Sequence, residues 1–132
     1  MKTHGLQIWQ SENELTGAFN LWLESLQARS VAPRTLESYR ESVGKFVAFL
    51  EQHAPTLDSV QPHHIRKWLI ERQRAGVSPH TVRKAYRLTR LFWRWCMREE
   101  LTTNDPFAKV EKPKAPATVK PALTPDEVEQ IL

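Results

Sequence analysis

Apolar residues recur along most of this chain at the three- and four-residue spacing of amphipathic helices. Stretches with this spacing predict four helices, over residues 11–28, 33–53, 62–75 and 78–98. We expect their apolar positions to face a shared core: Leu15, Phe19, Trp22, Leu26, Leu36, Tyr39, Val43, Phe46, Val47, Leu50, Ile65, Trp68, Leu69, Val82, Ala85, Tyr86, Thr89, Phe92, Trp93 and Cys96. Four glycines, and no run in which apolar and polar residues alternate, argue against a sheet. The chain is therefore predicted to be all-α.

The ends of these stretches carry residue types that begin helices. Ser11 and Glu14 have the spacing of a capping box, in which the side chain of each residue accepts the backbone N–H of the other. Ser78 is followed by a proline, as an N-cap residue often is. Pro33 opens the second helix behind Ala32, whose side chain cannot cap. Outside the helices, the apolar residues expected to close the core are Leu57, Val60, Phe107 and Val110.

The composition of the chain changes after residue 111. The ten residues KPKAPATVKP, 112–121, hold three prolines and three lysines, which is typical of an extended linker. A fresh helix start follows, with Thr124 suited to the N-cap and Pro125 and Glu127 to the first turn. The chain stops at Leu132, which indicates a piece of a longer protein. We predict a loose N-terminus at 1–10, a helical domain at 11–111, a linker at 112–122 and the truncated start of another domain at 123–132.

Positive charge is concentrated in one part of the chain. The net charge is +4, but residues 62–98 hold ten basic residues and one acidic residue (+9), whereas the remainder holds nine basic and fourteen acidic residues (−5). All six basic residues of the last helix fall in one third of its helical wheel, joined there by Leu91: Arg83, Lys84, Arg87, Arg90, Arg94 and Arg98. Solvated helical surfaces usually mix both signs of charge. A stripe of one sign therefore indicates a phosphate-backbone partner, with a plain solvated surface as the alternative.

The second helix carries a further candidate surface. Short hydroxyl side chains stand beside cations there, and such side chains contact phosphates and base edges, although they are also ordinary surface residues. The nucleic-acid hypothesis selects these residues on the two helices: Arg34, Thr35, Ser38, Lys45, His80, Arg83, Lys84, Arg87, Arg90 and Arg94. Lys and Arg of the last helix are expected to neutralise phosphates of double-stranded DNA. The candidates for base edges are Arg34, Thr35, Ser38, His80 and Arg87.

Other chemistry has little support in the sequence. A Gly-rich phosphate loop, a metal-ligand cluster and triad-like spacing are all absent, so no catalytic residue, cofactor or metal is predicted. His63 and His64 are neighbours on a helix and do not share a face. Cys96 lies on an apolar face and is expected to be a buried thiol. Because it is the single cysteine, an internal disulfide is excluded, which is consistent with a reducing cytosol. No run approaches the roughly 18 apolar residues of a membrane span, and a cytoplasmic location is predicted.

Three stretches, in this order, resemble the N-terminal core-binding domain of the tyrosine recombinase (phage integrase) family. They are RTLESYR at 34–40, RLFWRW at 90–95 with Arg98-Glu99 and Asn104-Asp105-Pro106, and LTPDEVE at 123–129. The resemblance covers residues 12 to 132. Ala32 stands where the family often has serine, and Asp105 intrudes before the proline, so these two positions depart from the pattern.

The resemblance implies a compact four-helix SAM-like bundle whose second and fourth helices face the DNA major groove. With a catalytic domain it would close as a clamp around a recombination site. The tyrosine nucleophile and its assisting residues would belong to that later domain, so this chain is expected to bind DNA and not to cut it. Tyr39 and Tyr86 lie on apolar faces and are interpreted as core residues. The fragment would be monomeric, and the full-length bacterial or phage protein would assemble as a tetramer on DNA at the nucleoid.

Two alternatives stay open at this level. A helical protein-interaction domain needs an exposed apolar patch, for which Leu91 and Phe49, outside the main apolar stripes, are the candidates. A DNA-binding transcriptional regulator of helix-turn-helix type needs a tight turn between two helices, and residues 74–78 offer one.

Overall fold

Four α-helices account for most of residues 13–114, the part of the chain that this computed structural model describes. They are α1 (Glu14–Ala28), α2 (Pro33–Glu51), α3 (Pro62–Arg74) and α4 (Pro79–Arg98), with a short 3-10 turn at Leu57–Ser59. No strand occurs between residues 13 and 114. The predicted all-α fold with four packed helices is therefore confirmed. The predicted loose N-terminus, most of the linker and the helix start at 123 lie outside the described residues.

The start of α1 differs from the prediction. The helix begins behind Asn13, whose Oδ1 accepts the N–H of Leu15 at 2.7 Å, and not behind Ser11. The carboxylate of Glu14 has a distant partner, since its Oε1 accepts the N–H of Leu57 at 2.6 Å. The predicted N-cap at Ser11 is therefore wrong, and the Glu14 carboxylate ties α1 to the loop before α3.

The other helix ends agree with their sequence signals. The Ser78 hydroxyl accepts the N–H of Thr81 at 3.2 Å, which is the N-cap bond expected for α4. Ala32 precedes α2 without a side-chain cap, as its methyl group requires. Gly76 follows α3 with φ of +82°, a backbone conformation that residues with a Cβ rarely adopt. The tight connection between α3 and α4 therefore depends on this glycine.

Aromatic rings fill the core where α4 meets the other helices. α4 contacts α1, α2 and α3, and nine of its residues are buried. The ring of Trp22 on α1 lies 5.3 Å from that of Phe92 on α4 and stacks on Tyr39 of α2 at 5.7 Å. Full burial of a large apolar side chain contributes roughly 1.5–3 kcal/mol to stability. The core thus holds one side of α4 inward and leaves its other side at the surface.

Phe49 is a core residue and not a surface one, so its assignment as a candidate for an exposed patch is wrong. It is 6% exposed, and its ring lies 5.6 Å from Trp68 of α3 and 4.4 Å from His53. α3 packs against a flank of α2 beyond the main apolar stripe. The buried sector of α2 is therefore wider than its own periodicity indicates.

The chain after α4 folds back across the bundle. The core residues predicted outside the helices are all buried: Leu57, Val60, Phe107 and Val110. The Asn104 side chain donates through Nδ2 to the carbonyl oxygens of Leu57 at 3.0 Å and Val60 at 2.8 Å. The main-chain carbonyl of Asn104 accepts from Nε1 of Trp93 at 2.8 Å. These bonds join the end of the bundle, the loop before α3, and α4.

Candidate nucleic-acid interface

α4 presents an apolar side to the core and a basic side outward, as the helical wheel predicted. Its buried residues are Val82, Ala85, Tyr86, Leu88, Thr89, Phe92, Trp93, Trp95 and Cys96. The hydroxyl of Thr89 donates to the carbonyl of Ala85 at 2.7 Å, which satisfies the polar group on this side. The six cations lie exposed or half-buried on the opposite side, and Leu91 lies among them.

The basic side of α4 has no acidic partner in the described part of the chain. α4 itself contains no Asp or Glu. The ion pair found between residues 13 and 114 joins Arg40 to Glu37 within α2, at 3.5 Å. Like charges three or four residues apart on a helix destabilise it by about 0.2–0.5 kcal/mol per pair. A polyanion bound along this side would remove that repulsion.

Three of the arginines border one cleft of about 310 Å³. Its lining includes Tyr39, Arg87, Arg90, Leu91, Arg94 and Lys112. Arg90 is oriented there, since its Nη1 donates to the hydroxyl of Tyr86 at 3.3 Å. The sequence selected the arginines but not Lys112, which it placed in the linker. Tyr39 was expected in the core; it does stack on Trp22, yet it is only half-buried and also lines the cleft.

Two arginines bind the backbone of the segment that follows α4, residues 99–114, here called the C-terminal segment. Nε of Arg83 donates to the carbonyl of Pro113 at 3.3 Å, and Nη2 of Arg66 donates to the carbonyl of Lys109 at 3.0 Å. A guanidinium has five N–H donors, so one such bond leaves capacity for a second partner. Arg83 thus has a structural role that charge patterning did not reveal. The segment lies against the basic side of α4, which brings Lys112 to the cleft.

The predicted residues on α2 do not line this cleft. Arg34, Thr35 and Lys45 are exposed, and Ser38 is half-buried. The cleft is lined from α2 by Tyr39, the neighbour of Ser38. His80 is exposed in the first turn of α4. The cleft therefore gathers Arg87, Arg90 and Arg94, and none of the predicted α2 residues is among the residues that line it.

The remaining titratable candidates have structural partners. His64 is buried, and its Nδ1 accepts the N–H of Gln61 at 2.8 Å, which caps α3. Burial, and then the neighbouring His63, lower the pKa of His64. Burial raises the pKa of the Cys96 thiol, which lies in the core. Between residues 13 and 114, no three His, Cys, Asp or Glu side chains are grouped to hold a metal, and no helix is long and apolar enough to cross a membrane.

The fold and this surface define a small all-helical domain with one strongly basic helix. The sequence model of the family described as phage integrase, N-terminal SAM-like domain, matches residues 19–100, from within α1 to just beyond α4. The match covers more than half of the chain. The chain belongs to this family, as a core-binding domain of the tyrosine recombinase type, and the resemblance seen in the sequence is confirmed.

Curated relatives agree with this assignment. The chain is 28% identical over 114 residues to tyrosine recombinase XerC of Anoxybacillus flavithermus, and 30% identical over 125 residues to tyrosine recombinase XerD of Yersinia pestis. These alignments cover 85% and 93% of this chain. They cover 38% and 40% of the relatives, so the chain spans about two fifths of their length. No solved structure matches the chain significantly.

Proposed function

We propose that this chain binds double-stranded DNA as the core-binding domain of a site-specific tyrosine recombinase. The observation that carries the proposal is the basic side of α4, whose cations have no carboxylate partner within the described residues. Lys and Arg that displace counterions from phosphates supply most of the sequence-independent affinity of proteins for DNA. Membership of the phage integrase family and similarity to tyrosine recombinases support the same function.

The two helices have different tasks in this proposal. Arg87, Arg90 and Arg94 bind phosphates around the cleft. The bond that Arg90 donates to the Tyr86 hydroxyl orients its guanidinium, which reduces the ordering that binding requires. Arg83, Lys84 and Lys45 add positive charge. The candidates for base edges are the side chains in the first turns of α2 and one in the first turn of α4: Arg34, Thr35, Ser38 and His80.

The remainder of a full-length recombinase would carry the chemistry. The tyrosine nucleophile would come from a catalytic domain that follows residues 112–122 and closes on the other side of the duplex, and the complete protein would assemble as a tetramer on DNA. The contacts of Arg66 and Arg83 with the C-terminal segment support this arrangement, because they direct the chain along the basic side of α4. The tether to a second domain would then leave beside the bound DNA.

A protein-interaction domain has weaker support. Phe49, one of its two candidate contact residues, is buried. Leu91, the other, shares its cleft with three arginines, which an ordinary apolar partner surface would have to desolvate. Family membership favours a recombinase over a transcriptional regulator.

The proposal is tested by salt-dependent binding of a labelled random-sequence duplex, followed by fluorescence anisotropy. Each phosphate contact adds about 0.9 to the slope of log affinity against log salt. Arg87→Ala and Arg90→Ala should each lower the slope by about that amount. Arg40→Ala is the matched control, because Arg40 is exposed, is already paired with Glu37, and lies about 200° around α2 from Ser38. Absence of binding at low salt, or equal slopes in all variants, would refute the proposal.

A further inference from the structure

Leu91 is an apolar side chain exposed in the middle of the basic side of α4. It is 43% exposed, and it lines the cleft together with Arg87, Arg90 and Arg94. Arg87 lies four residues before it and Arg94 three residues after it, spacings at which side chains on a helix are neighbours, and Arg90 borders the same cleft. Ile70 of α3, 45% exposed, is the other large apolar side chain at the surface of the described part. Ile70 also has arginines one helical turn away, Arg66 and Arg74, but its helix carries the acidic Glu71 and it does not line the cleft of the α4 arginines.

The surroundings of Leu91 restrict what can cover it. A partner must offer a small apolar group and, within one helical turn on either side, negative charge. The major groove of duplex DNA meets both conditions, because the thymine C5-methyl projects into a groove whose walls are phosphates. The edges of guanine, cytosine and adenine present hydrogen-bonding groups there without a methyl.

The spacing along α4 fits this groove. At about 1.5 Å rise per residue, the Cα atoms of Arg87 and Arg94 are roughly 10 Å apart along the helix axis. The major groove is about 12 Å wide. A helix that crosses the groove thus carries one arginine towards each phosphate wall, and Leu91 between them faces the base edges.

We propose that Leu91 reads thymine, by packing its side chain on the thymine methyl group while Arg87 and Arg94 bind phosphates on either side. This inference rests on the proposed DNA binding and deepens it. It adds a preference for particular base pairs to a surface that would otherwise recognise only the charge of the backbone.

Replacement of thymine by uracil isolates the contact, since uracil lacks the methyl group and keeps the same hydrogen-bonding edge. The 132-residue chain would first enrich its preferred duplexes from a random-sequence pool. Each thymine of the enriched sequence would then be replaced singly by deoxyuridine, and the affinity measured by anisotropy. Loss of one methyl contact should weaken binding about fourfold at one or two positions.

Two variants make the assignment specific to Leu91. In Leu91→Ala the thymine and uracil duplexes should bind equally at those positions, because the packing partner is gone. Ile70→Ala, which truncates an equally exposed side chain on another helix, should keep the fourfold difference. Circular dichroism confirms that both variants fold.

The outcomes separate this inference from the proposed function. Equal affinity for thymine and uracil at every position, in a chain that binds DNA, refutes the role of Leu91 and leaves DNA binding intact. A uracil penalty that persists in Leu91→Ala assigns the methyl contact to another residue and also refutes it. Failure to bind any duplex overturns both proposals.

Discussion

Replacement of Asn104 by alanine should destabilise the bundle far more than its position after the last helix indicates. The Asn104 amide donates to the carbonyls of Leu57 and Val60, both main-chain groups of the loop before α3. The carbonyl of Leu57 keeps a second partner, the N–H of Val60 at 3.3 Å. The Val60 carbonyl belongs to a residue with 0% exposure and would lose its side-chain partner.

The expected loss follows from these two bonds. A typical hydrogen bond contributes about 1 kcal/mol net, and a buried acceptor left without a partner costs about 1–3 kcal/mol. Asn104→Ala should therefore lower the free energy of unfolding by about 2–4 kcal/mol. The bond from Trp93 to the main-chain carbonyl of residue 104 does not need the side chain and persists in the variant.

Urea denaturation followed by circular dichroism measures this loss. With an m value of about 2 kcal/mol/M, the midpoint should fall by about 1–2 M. Thr103→Ala is the control, because Thr103 is the exposed neighbour and its replacement should change stability by less than about 0.5 kcal/mol. Coincident midpoints for the two variants would show that the Asn104 bonds do not hold the C-terminal segment on the bundle.

Three further predictions concern buried or strained groups. Burial is the main reason that the pKa of His64 is lowered from 6.5 in the folded chain, and its Nδ1 must stay unprotonated to accept the N–H of Gln61. The unfolded state therefore binds the proton first, so stability is full above about pH 6.5 and falls as the pH decreases below it. A urea midpoint that is unchanged between about pH 7.5 and 5.5 would contradict this prediction. Gly76→Ala should lower the free energy of unfolding by about 1–2 kcal/mol through its positive φ alone, because no atom lies within 4 Å of the added Cβ. Gly44→Ala should cost less stability than this, since its Cβ would make an ordinary contact at 3.5 Å, and thermal denaturation compares the two variants. Since burial raises the pKa of the Cys96 thiol, Ellman's reagent should label it only after unfolding, and rapid labelling of the native chain would show that the core opens.

Features that depend on neighbouring residues were predictable. The apolar spacing located the four helices, and the N-cap serine with its proline placed the start of α4 at the right residue. The division of α4 into a buried side and a basic side was also correct, down to the exposure of Leu91. Helical periodicity and capping act within one or two turns, so the sequence contains all the information they need.

Features that depend on distant partners were not predictable in this way. Glu14 accepts the N–H of Leu57, 43 residues away, a partner that local spacing does not indicate. Phe49 is buried because α3 packs on its side of α2, which the spacing within α2 does not show. The cleft needed Tyr39 and Lys112 to meet the arginines of α4, and no sequence signal connects them.

The sequence by itself determined the class of fold, the helix that carries the positive charge and the family to which the chain belongs, because each is encoded in local spacing or in matching motifs. The tertiary structure decided which cations share a cleft, which arginines hold the C-terminal segment and which expected surface residue is buried. These depend on how the helices pack against one another. Packing is set by the combined shapes of side chains from several elements, and periodicity along one element does not contain that information.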